Sequence, residues 1–416
     1  MEPSRFDVAV VGGGPAGSLT AYHLARRGVR VLLIDAKKFP RDKPCGGGIQ
    51  ERACLSLPAE WRSAIRSDFR EVSFSYSLGE PITRSCANTL VSGVLRTEFD
   101  ELLLNHAQSA GVTVWQDCKA LGVTDAPGGG VTIGTSRGDI HARYAVGADG
   151  ANSIMARQLN TRDSYYWQVA LYCEVPEGCL RPDAVSTSRM RVDWGSLPSG
   201  YGWIFPKNGS VNIGVGCPLA IAKLLRSYLN RFLTAERILK ENVLDQLKFF
   251  GHQLPTMTAK TRLSSSNMLL VGDAAGLVEP LTGEGISNAC HSAQIASHYL
   301  SEQLGGADRQ PESYDERIRN EIGREIRRAR QLLSVSVTFP KALFMLLKDN
   351  DAVWNMFCKV LRGEETFLTL RQLIMGRAGL LWAPLQQFSE WYENRKLSFH
   401  SRALRENDLP AAGPAL

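Results

Sequence analysis

Phe6 to Val11 is a nearly unbroken apolar run, the pattern of a short strand buried on both faces of a parallel sheet. Gly12, Gly14 and Gly17 follow, and then Leu19, Tyr22, Leu24 and Ala25 recur at a helical spacing that can face a sheet. Gly28 is a plausible helix stop, and Val31 to Ile34 form a second apolar run that ends at Asp35. The chain therefore opens as strand, helix, strand. Residues 90–110 predict one amphipathic helix with Leu95, Phe99, Leu102 and Leu103 inward. Val112 to Val123 supplies strand material, Gly128 to Gly130 a turn, and Val131 to Ile133 the start of a return strand.

From residue 141 the chain ends a strand in Gly147-Ala-Asp149-Gly150. Residues 165–217 change character: YYWQVALYCEV, RMRVDW, GYGWIFP and SVNIGVGC are β-branched and aromatic segments separated by Gly and Pro. They predict a mostly antiparallel sheet inserted between two parts of the first domain. Met268 to Val271 is a further buried strand that opens into Gly272-Asp273-Ala-Ala-Gly276, and a helix is predicted over 286–304. Residues 312–391 read as helical, and the chain from Arg405 to its end as a flexible tail. The expected division is 1–75, 90–160 and 262–310 for a nucleotide-binding domain, 76–89 and 161–261 for a substrate-binding sheet domain, 311–400 for a helical region and 405–416 for the tail.

Composition narrows the picture by exclusion. The 416 residues are 44% hydrophobic and 22% charged, ordinary for a globular protein with a sizeable core. A net charge of +6 without a dense basic stripe argues against a nucleic-acid partner. The nine cysteines form no C-x-x-C pairs and do not cluster with histidines. That speaks against a metal site, an iron–sulfur cluster or a disulfide framework, and fits a reducing cytosol. No secretory signal precedes the first strand and no apolar run reaches the length of a membrane span, so a cytoplasmic protein, at most peripheral to a membrane, is expected.

The candidate chemistry lies in the turns. Gly12, Gly14 and Gly17 have the spacing of a dinucleotide-binding turn, which lets the backbone approach a pyrophosphate at the positive end of the next helix; Asp35 can accept hydrogen bonds from a ribose. In KPCGGG, Cys45 precedes Gly46, Gly47 and Gly48, a backbone that can lie against a flat ligand. Cys45 is then either a thiol beside that ligand or a small residue filling a tight turn. Arg96 can serve a phosphate or be a solvated charge, and Glu284 can cap a helix or act in catalysis. Tyr201, Trp203 and Phe205 alternate, so they share one face of a strand before Pro206, as sheet core or as the wall of an apolar pocket. The aromatic helices after residue 312 can be a packed cap or an amphipathic rim that admits a lipid.

Glycine–acid turns around Asp35, Asp149 and Asp273 are more than a simple nicotinamide ligand requires, and suit FAD laid across the domain. Together GGGPAG, GADGANS and GDAAGLVEPLTGEGI resemble the flavoprotein superfamily of the aromatic hydroxylases. Within it KPCGGG, the Tyr201–Trp203–Phe205–Pro206 string and LRGEETF, Leu361 to Phe367, are similar to the geranylgeranyl reductase family. The resemblance implies an α/β fold: a Rossmann-like FAD-binding domain of the glutathione-reductase/aromatic-hydroxylase type, an inserted mostly antiparallel substrate sheet and a C-terminal helical region. It implies that Ala16 and Asp35 serve the pyrophosphate and adenosine ribose, and that Cys45, Gly46 and Gly48 contact the flavin. Arg96 and Ala120 would bind the nucleotide portion, Asp273 the ribityl chain, and Gly285 and Ile286 the isoalloxazine.

Such proteins saturate isolated C=C bonds of prenyl chains with reduced FAD, on a prenylated lipid or isoprenoid. Cys45 would be the proton donor or a gate, and the aromatic string would line the prenyl path. No second G-x-G-x-x-G unit exists for a resident nicotinamide, so the flavin is expected to be reduced by transiently docking NAD(P)H or by a reduced electron-carrier protein. Two other readings compete. Monooxygenases and flavin-dependent halogenases share the GADG and GD turns, but halogenases carry W-x-W-x-I-P and need a lysine, and residues 71–118 contain none. Prenyl-binding escort proteins share the fold without FAD, whereas Asp35, Arg96 and Asp273 are all present here.

Overall fold

The structure is a computed structural model that describes residues 6–127, 129–306 and 312–405. The chain divides into two compact units. The first runs to Arg66 and resumes over Val94–Tyr166 and Leu254–Arg327; the second comprises Ser67–Gly93, Trp167–Gln253 and the chain from Arg328 onward.

The first unit is built on a seven-stranded sheet. Its order is Thr113–Trp115, Val31–Ile34, Phe6–Val11, Gly138–Gly147, Val131–Thr135, Ala120–Asp125, with Met268–Leu270 also pairing on Gly138–Gly147. The pairs Leu33↔Val114, Val10↔Leu33, Val10↔Val146 and Val146↔Leu269 are parallel, and Val131–Thr135 returns antiparallel on both sides. The apolar runs end at one edge of this sheet, so the turns that follow Val11, Gly147 and Leu270 gather there. This is the expected α/β arrangement. The helix Pro15–Ala25 buries two sides rather than one: Leu24 joins the sheet core, while Leu19 packs with Phe99 and Leu103 of the helix Arg96–Ser109 and with Ile286, Cys290 and Ala293 of the helix Ile286–Gly305.

Residues 90–110 are not one helix. Val91–Val94 is a strand with all four residues buried, and the helix begins only at Arg96. Val91–Val94 pairs with the strand Ile65–Phe69, and Gly93 allows the close approach, because a Cβ there would lie 2.1 Å from Ser67 Oγ. Leu95 becomes the half-buried residue before the helix; Phe99 and Leu103 are inward as expected, and Leu102 is half-buried.

His23, on the outer side of Pro15–Ala25, has its Nε2 buried without a hydrogen-bond partner. Burial, then the Arg27 guanidinium, pushes its pKa down from 6.5 to about 4. Between those values the unfolded chain binds a proton that the folded chain refuses, so this group makes stability fall as pH drops through that window. A His23→Gln variant is expected to lose less stability than wild type between pH 7 and pH 5, read from urea midpoints at both values; equal losses would refute the assignment.

The second unit holds another seven-stranded sheet, in the order Phe250–Thr256, Tyr166–Pro176, Ser210–Pro218, Tyr201–Lys207, Arg189–Trp194, Glu71–Tyr76, Ile82–Ser85. Val169↔Cys217, Trp203↔Gly214, Val192↔Trp203 and Phe74↔Ile82 are antiparallel pairs, and only Arg189–Trp194 against Glu71–Tyr76 is parallel among the registered pairs. Ile213, Val215 and Cys217 of this sheet pack against Leu229 and Phe232 of the helix Leu225–Glu236.

Helices follow one another from Tyr314 to Arg405, with a π-turn at Arg319–Gly323, a 3-10 turn at Gly376–Leu381 and short links between them, which agrees with the helical reading of 312–391. Trp354 and Phe367 are buried, whereas Leu381, Phe388 and Trp391 are exposed. Arg405 is the last residue of the final helix, and residues 406–416 of the expected tail lie outside the described residues. Among the described residues no helix is long and apolar enough to cross a membrane, and no group of His, Cys, Asp and Glu could hold a metal ion.

Candidate functional site

The first glycine turn is shaped by backbone contact. Gly12 has φ +107°, and a Cβ on it would lie 2.3 Å from Ala148 O. A Cβ on Gly17 would lie 1.8 Å from Gly12 O. Strand Phe6–Val11, helix Pro15–Ala25 and the turn after Gly147 are therefore in contact at main-chain distance. Gly14 differs: a Cβ there would meet only Arg41 Nη2, at 3.6 Å. No side chain caps the helix that starts at Pro15, so its N-terminal amides, Ala16 included, are presented to the space beside Gly14.

Asp35 ends the second strand and braces this turn. Its Oδ2 accepts from Gly13 N at 2.7 Å and its Oδ1 from Lys37 N at 2.8 Å. Ala120 opens the strand Ala120–Asp125 and is buried. Asp149 accepts from Ile154 N at 2.7 Å through Oδ2, which caps the short helix Ile154–Gln158, while its Oδ1 is buried without a partner. Burial holds the Asp149 carboxyl above its usual pKa, a state that a bound donor would relieve.

The third turn and the KPCGGG loop meet across the chain. Lys43 Nζ lies 3.0 Å from Asp273 Oδ2, and a Cβ on Gly285 would lie 3.3 Å from Asp273 Oδ1. Gly285 is the N-cap of Ile286–Gly305, and its side has no capping side chain of its own. Glu284 fills that role from one residue before: Oε1 accepts from Ser287 N at 2.7 Å, and Oε2 is 3.2 Å from Arg52 Nη2. The capping alternative for Glu284 thus describes its geometry. Gly47 N donates to Cys45 Sγ at 3.3 Å, and the Cys45 side chain also interacts with Arg96.

Arg96 is buried, not a solvated charge. It forms a two-pronged pair with Asp100 one turn on, Nε to Oδ1 at 2.7 Å and Nη2 to Oδ2 at 2.6 Å. Asp100 is fully buried and also lies 3.1 Å from Arg41 Nη1. Burial works against the Arg96 charge, but Asp100 and the Cys45 sulfur outweigh it and raise its pKa.

Four residues of this cluster are given no role by the sequence reading: Arg41, Lys43, Asp100 and Glu279. Glu279 is wholly buried, accepts from Leu281 N and Thr282 N, and is held above its usual pKa by burial. An acid in V-E-P-L-T-G was visible, but only the backward fold of the loop shows that it pins the turn before Gly285.

Tyr201, Trp203, Phe205 and Pro206 belong to the second unit. Ring centroids are 5.7 Å apart for Tyr201–Trp203 and 6.3 Å for Trp203–Phe205, so the three do share one face. Trp203 is buried, donates from Nε1 to Asn212 Oδ1 at 2.8 Å, and needs Gly214 beneath it, where a Cβ would be 2.2 Å from the ring. Tyr201 and Phe205 are half-buried, and Pro206 is buried.

Backbone-tight glycines, a glycine with room for a methyl, the uncapped N-terminus of Pro15–Ala25 and an orphaned buried carboxylate oxygen all fit FAD. A family model for an FAD binding domain matches residues 5–170, and one for tryptophan halogenase matches residues 94–339. The menaquinone reductase of Mycolicibacterium smegmatis is 32% identical over 359 residues, 82% of this chain and 86% of that protein. Digeranylgeranylglycerophospholipid reductase 2 of Methanothermobacter thermautotrophicus is 30% identical over 345 residues, 78% of this chain and 86% of that protein. A geranylgeranyl bacteriochlorophyll reductase-like structure from Thermoplasma acidophilum superposes with a TM-score of 0.68 at 26% identity, over 80% of this chain and 87% of that one. A flavin-dependent brominase shares the fold at 17% identity, with a TM-score of 0.69 over 90% of this chain and 99% of its own.

The fold and site define an FAD-dependent oxidoreductase of the aromatic-hydroxylase-like superfamily. The chain belongs to the geranylgeranyl reductase family within it.

Proposed function

We propose that the protein saturates C=C bonds of a prenyl chain carried by a lipid or isoprenoid. The observation that carries the reading is a thiol, Cys45, set in a glycine loop of the flavin cradle and in contact with the buried Arg96–Asp100 pair. The names of the menaquinone and digeranylgeranylglycerophospholipid reductases support the substrate class. Bound FAD, reduced by NAD(P)H or a carrier protein, supplies the hydride. An unactivated alkene accepts it only if a proton reaches the other carbon at nearly the same time, from an acid fixed in place.

Cys45 Sγ is that acid, held by Gly47 N, and Arg96 beside it stabilises the sulfur once its proton has left. Ala16 and Gly14 face the pyrophosphate, Asp35 the adenosine ribose, and Arg96 and Ala120 the nucleotide portion. Gly12 and Gly17 would shape the turn, Asp149 would accept a hydrogen bond through its second carboxylate oxygen, Asp273 would hold the ribityl chain, and Gly46, Gly48, Gly285 and Ile286 would bound the isoalloxazine. Tyr201 and Phe205 line the prenyl path, with Trp203 and Pro206 as their support.

The test is anaerobic: the yellow protein is reduced with dithionite and given geranylgeranyl compounds, and products are read by mass spectrometry. A gain of two hydrogens per bond is the expected result. Cys45→Ala with intact FAD is expected to slow that turnover by about a hundredfold or more; unchanged turnover would remove Cys45 from the mechanism. The tryptophan halogenase match over 94–339 favours a second reading, an oxygen-using enzyme. Oxygen or halogen incorporation in air, without anaerobic gain of hydrogen, would establish it.

A further inference from the structure

The helix Trp382–Arg405 has two faces, and the fold uses one. Glu393 is fully buried on that side, where its Oε2 accepts from Ser334 Oγ at 2.7 Å and pairs with Arg330 Nη1 at 2.8 Å. On the other side Phe388, Trp391 and Phe399 are 49%, 53% and 61% exposed, and Leu381, the last residue of the turn before the helix, is 62% exposed. With Arg395 and Arg402, also exposed, the three aromatic positions return to one stripe at the helical period. Phe388 and Trp391 lie 5.8 Å apart, and the Arg395 guanidinium sits 5.3 Å over the Trp391 ring. Three large aromatic side chains in one exposed stripe, with Leu381 just ahead of it, are more than scattered surface hydrophobics.

We propose that this stripe seats the protein on an anionic lipid bilayer. Aromatic and leucine side chains enter the boundary between headgroups and acyl chains, where amphipathic rings are favoured, and the two guanidinium groups meet lipid phosphates. Charge complementarity selects this occupant: the stripe carries two cations and no carboxylate, since Glu393 is buried and Glu390 lies around the helix from Phe388. The inference rests on this helix alone and not on the identity of the reducible bond.

The experiment is flotation of the flavin-loaded protein with vesicles of phosphatidylcholine containing about one third phosphatidylglycerol, against pure phosphatidylcholine. Binding to the anionic vesicles that weakens with salt is expected. A Phe388→Ser, Trp391→Ser, Phe399→Ser variant is expected to bind at least about tenfold more weakly, with its flavin spectrum unchanged. An Arg395→Glu, Arg402→Glu variant is expected to lose the preference for anionic vesicles. Absence of wild-type binding, undiminished binding by the triple variant, or conversion of a dimer to a monomer by it would overturn the proposal. Failure of the prenyl-reductase reading would leave flotation intact and abolish only hydrogen gain on detergent-dispersed substrate.

Discussion

Gly17→Ala is expected to yield a protein that has lost most of its flavin. The added methyl would lie 1.8 Å from Gly12 O and 3.0 Å from Ala148 Cβ. Neither neighbour can yield, because Gly12 and Ala148 follow directly on two central strands paired at Val11↔Gly147. Gly12 is itself fixed by φ +107° and by the 2.3 Å that a Cβ would leave to Ala148 O. Overpacking of this kind costs about 1–3 kcal/mol, more when only backbone is available to move. The displaced helix start would then present its amides to the pyrophosphate wrongly, and at 1.4 kcal/mol per decade the flavin affinity should fall by about tenfold to a hundredfold. The ratio of visible to protein absorbance after gel filtration measures it, with circular dichroism as a check on folding. Gly14→Ala is the instructive companion, since the protein itself leaves that methyl room, 3.6 Å from Arg41 Nη2. Flavin loss in Gly14→Ala would therefore come from the ligand. A fully yellow Gly17→Ala protein with wild-type stability would refute the tight-turn account.

The fold was legible where local pattern and tertiary role coincide. An apolar run, three spaced glycines and a terminal acid must be strand, turn, helix and strand, because few other structures tolerate those glycines. The alternating segments between 165 and 217 likewise became a mostly antiparallel sheet. Where two environments accept the same residues, the pattern misled. Val91–Val94 sits within an apolar stretch that also suits a helix, and pairing with the strand Ile65–Phe69, far back in the chain, makes it a strand. Leu19 and Leu24 read alike in a helical pattern, yet one faces helices and the other the sheet.

The site shows the same division. Asp35, Asp149 and Asp273 stand out beside glycines. Arg41 and Lys43 look like loop charges, and their partners Asp100 and Asp273 are distant in sequence, so the pairing is visible only once the chain is folded. Helix Trp382–Arg405 is aromatic on both sides, which concealed which side the protein leaves uncovered.

Arg96→Leu should have the largest effect on stability of any single change at this site. Asp100 is fully buried, and Arg96 supplies both prongs of its pair at 2.7 and 2.6 Å. Removing the guanidinium leaves a buried carboxylate with Arg41 alone, at 3.1 Å to one oxygen. Breaking one side of a buried pair costs about 3–5 kcal/mol, a fall of roughly 6–20 °C in the melting temperature. Thermal unfolding of the flavin-loaded protein measures it, and an unchanged melting temperature would show that the pair contributes nothing. The Arg96→Leu, Asp100→Leu double variant is expected to recover much of the loss, since two apolar side chains of similar bulk need no charge partner. That recovery separates the two uses of a cation at this position. If the double variant regains stability but binds less flavin, or turns over slowly with full flavin, the guanidinium serves the ligand or the Cys45 sulfur it touches. If stability, flavin and rate all return together, the pair exists to hold the start of helix Arg96–Ser109 in the core, and the phosphate role carried by the resemblance fails for Arg96.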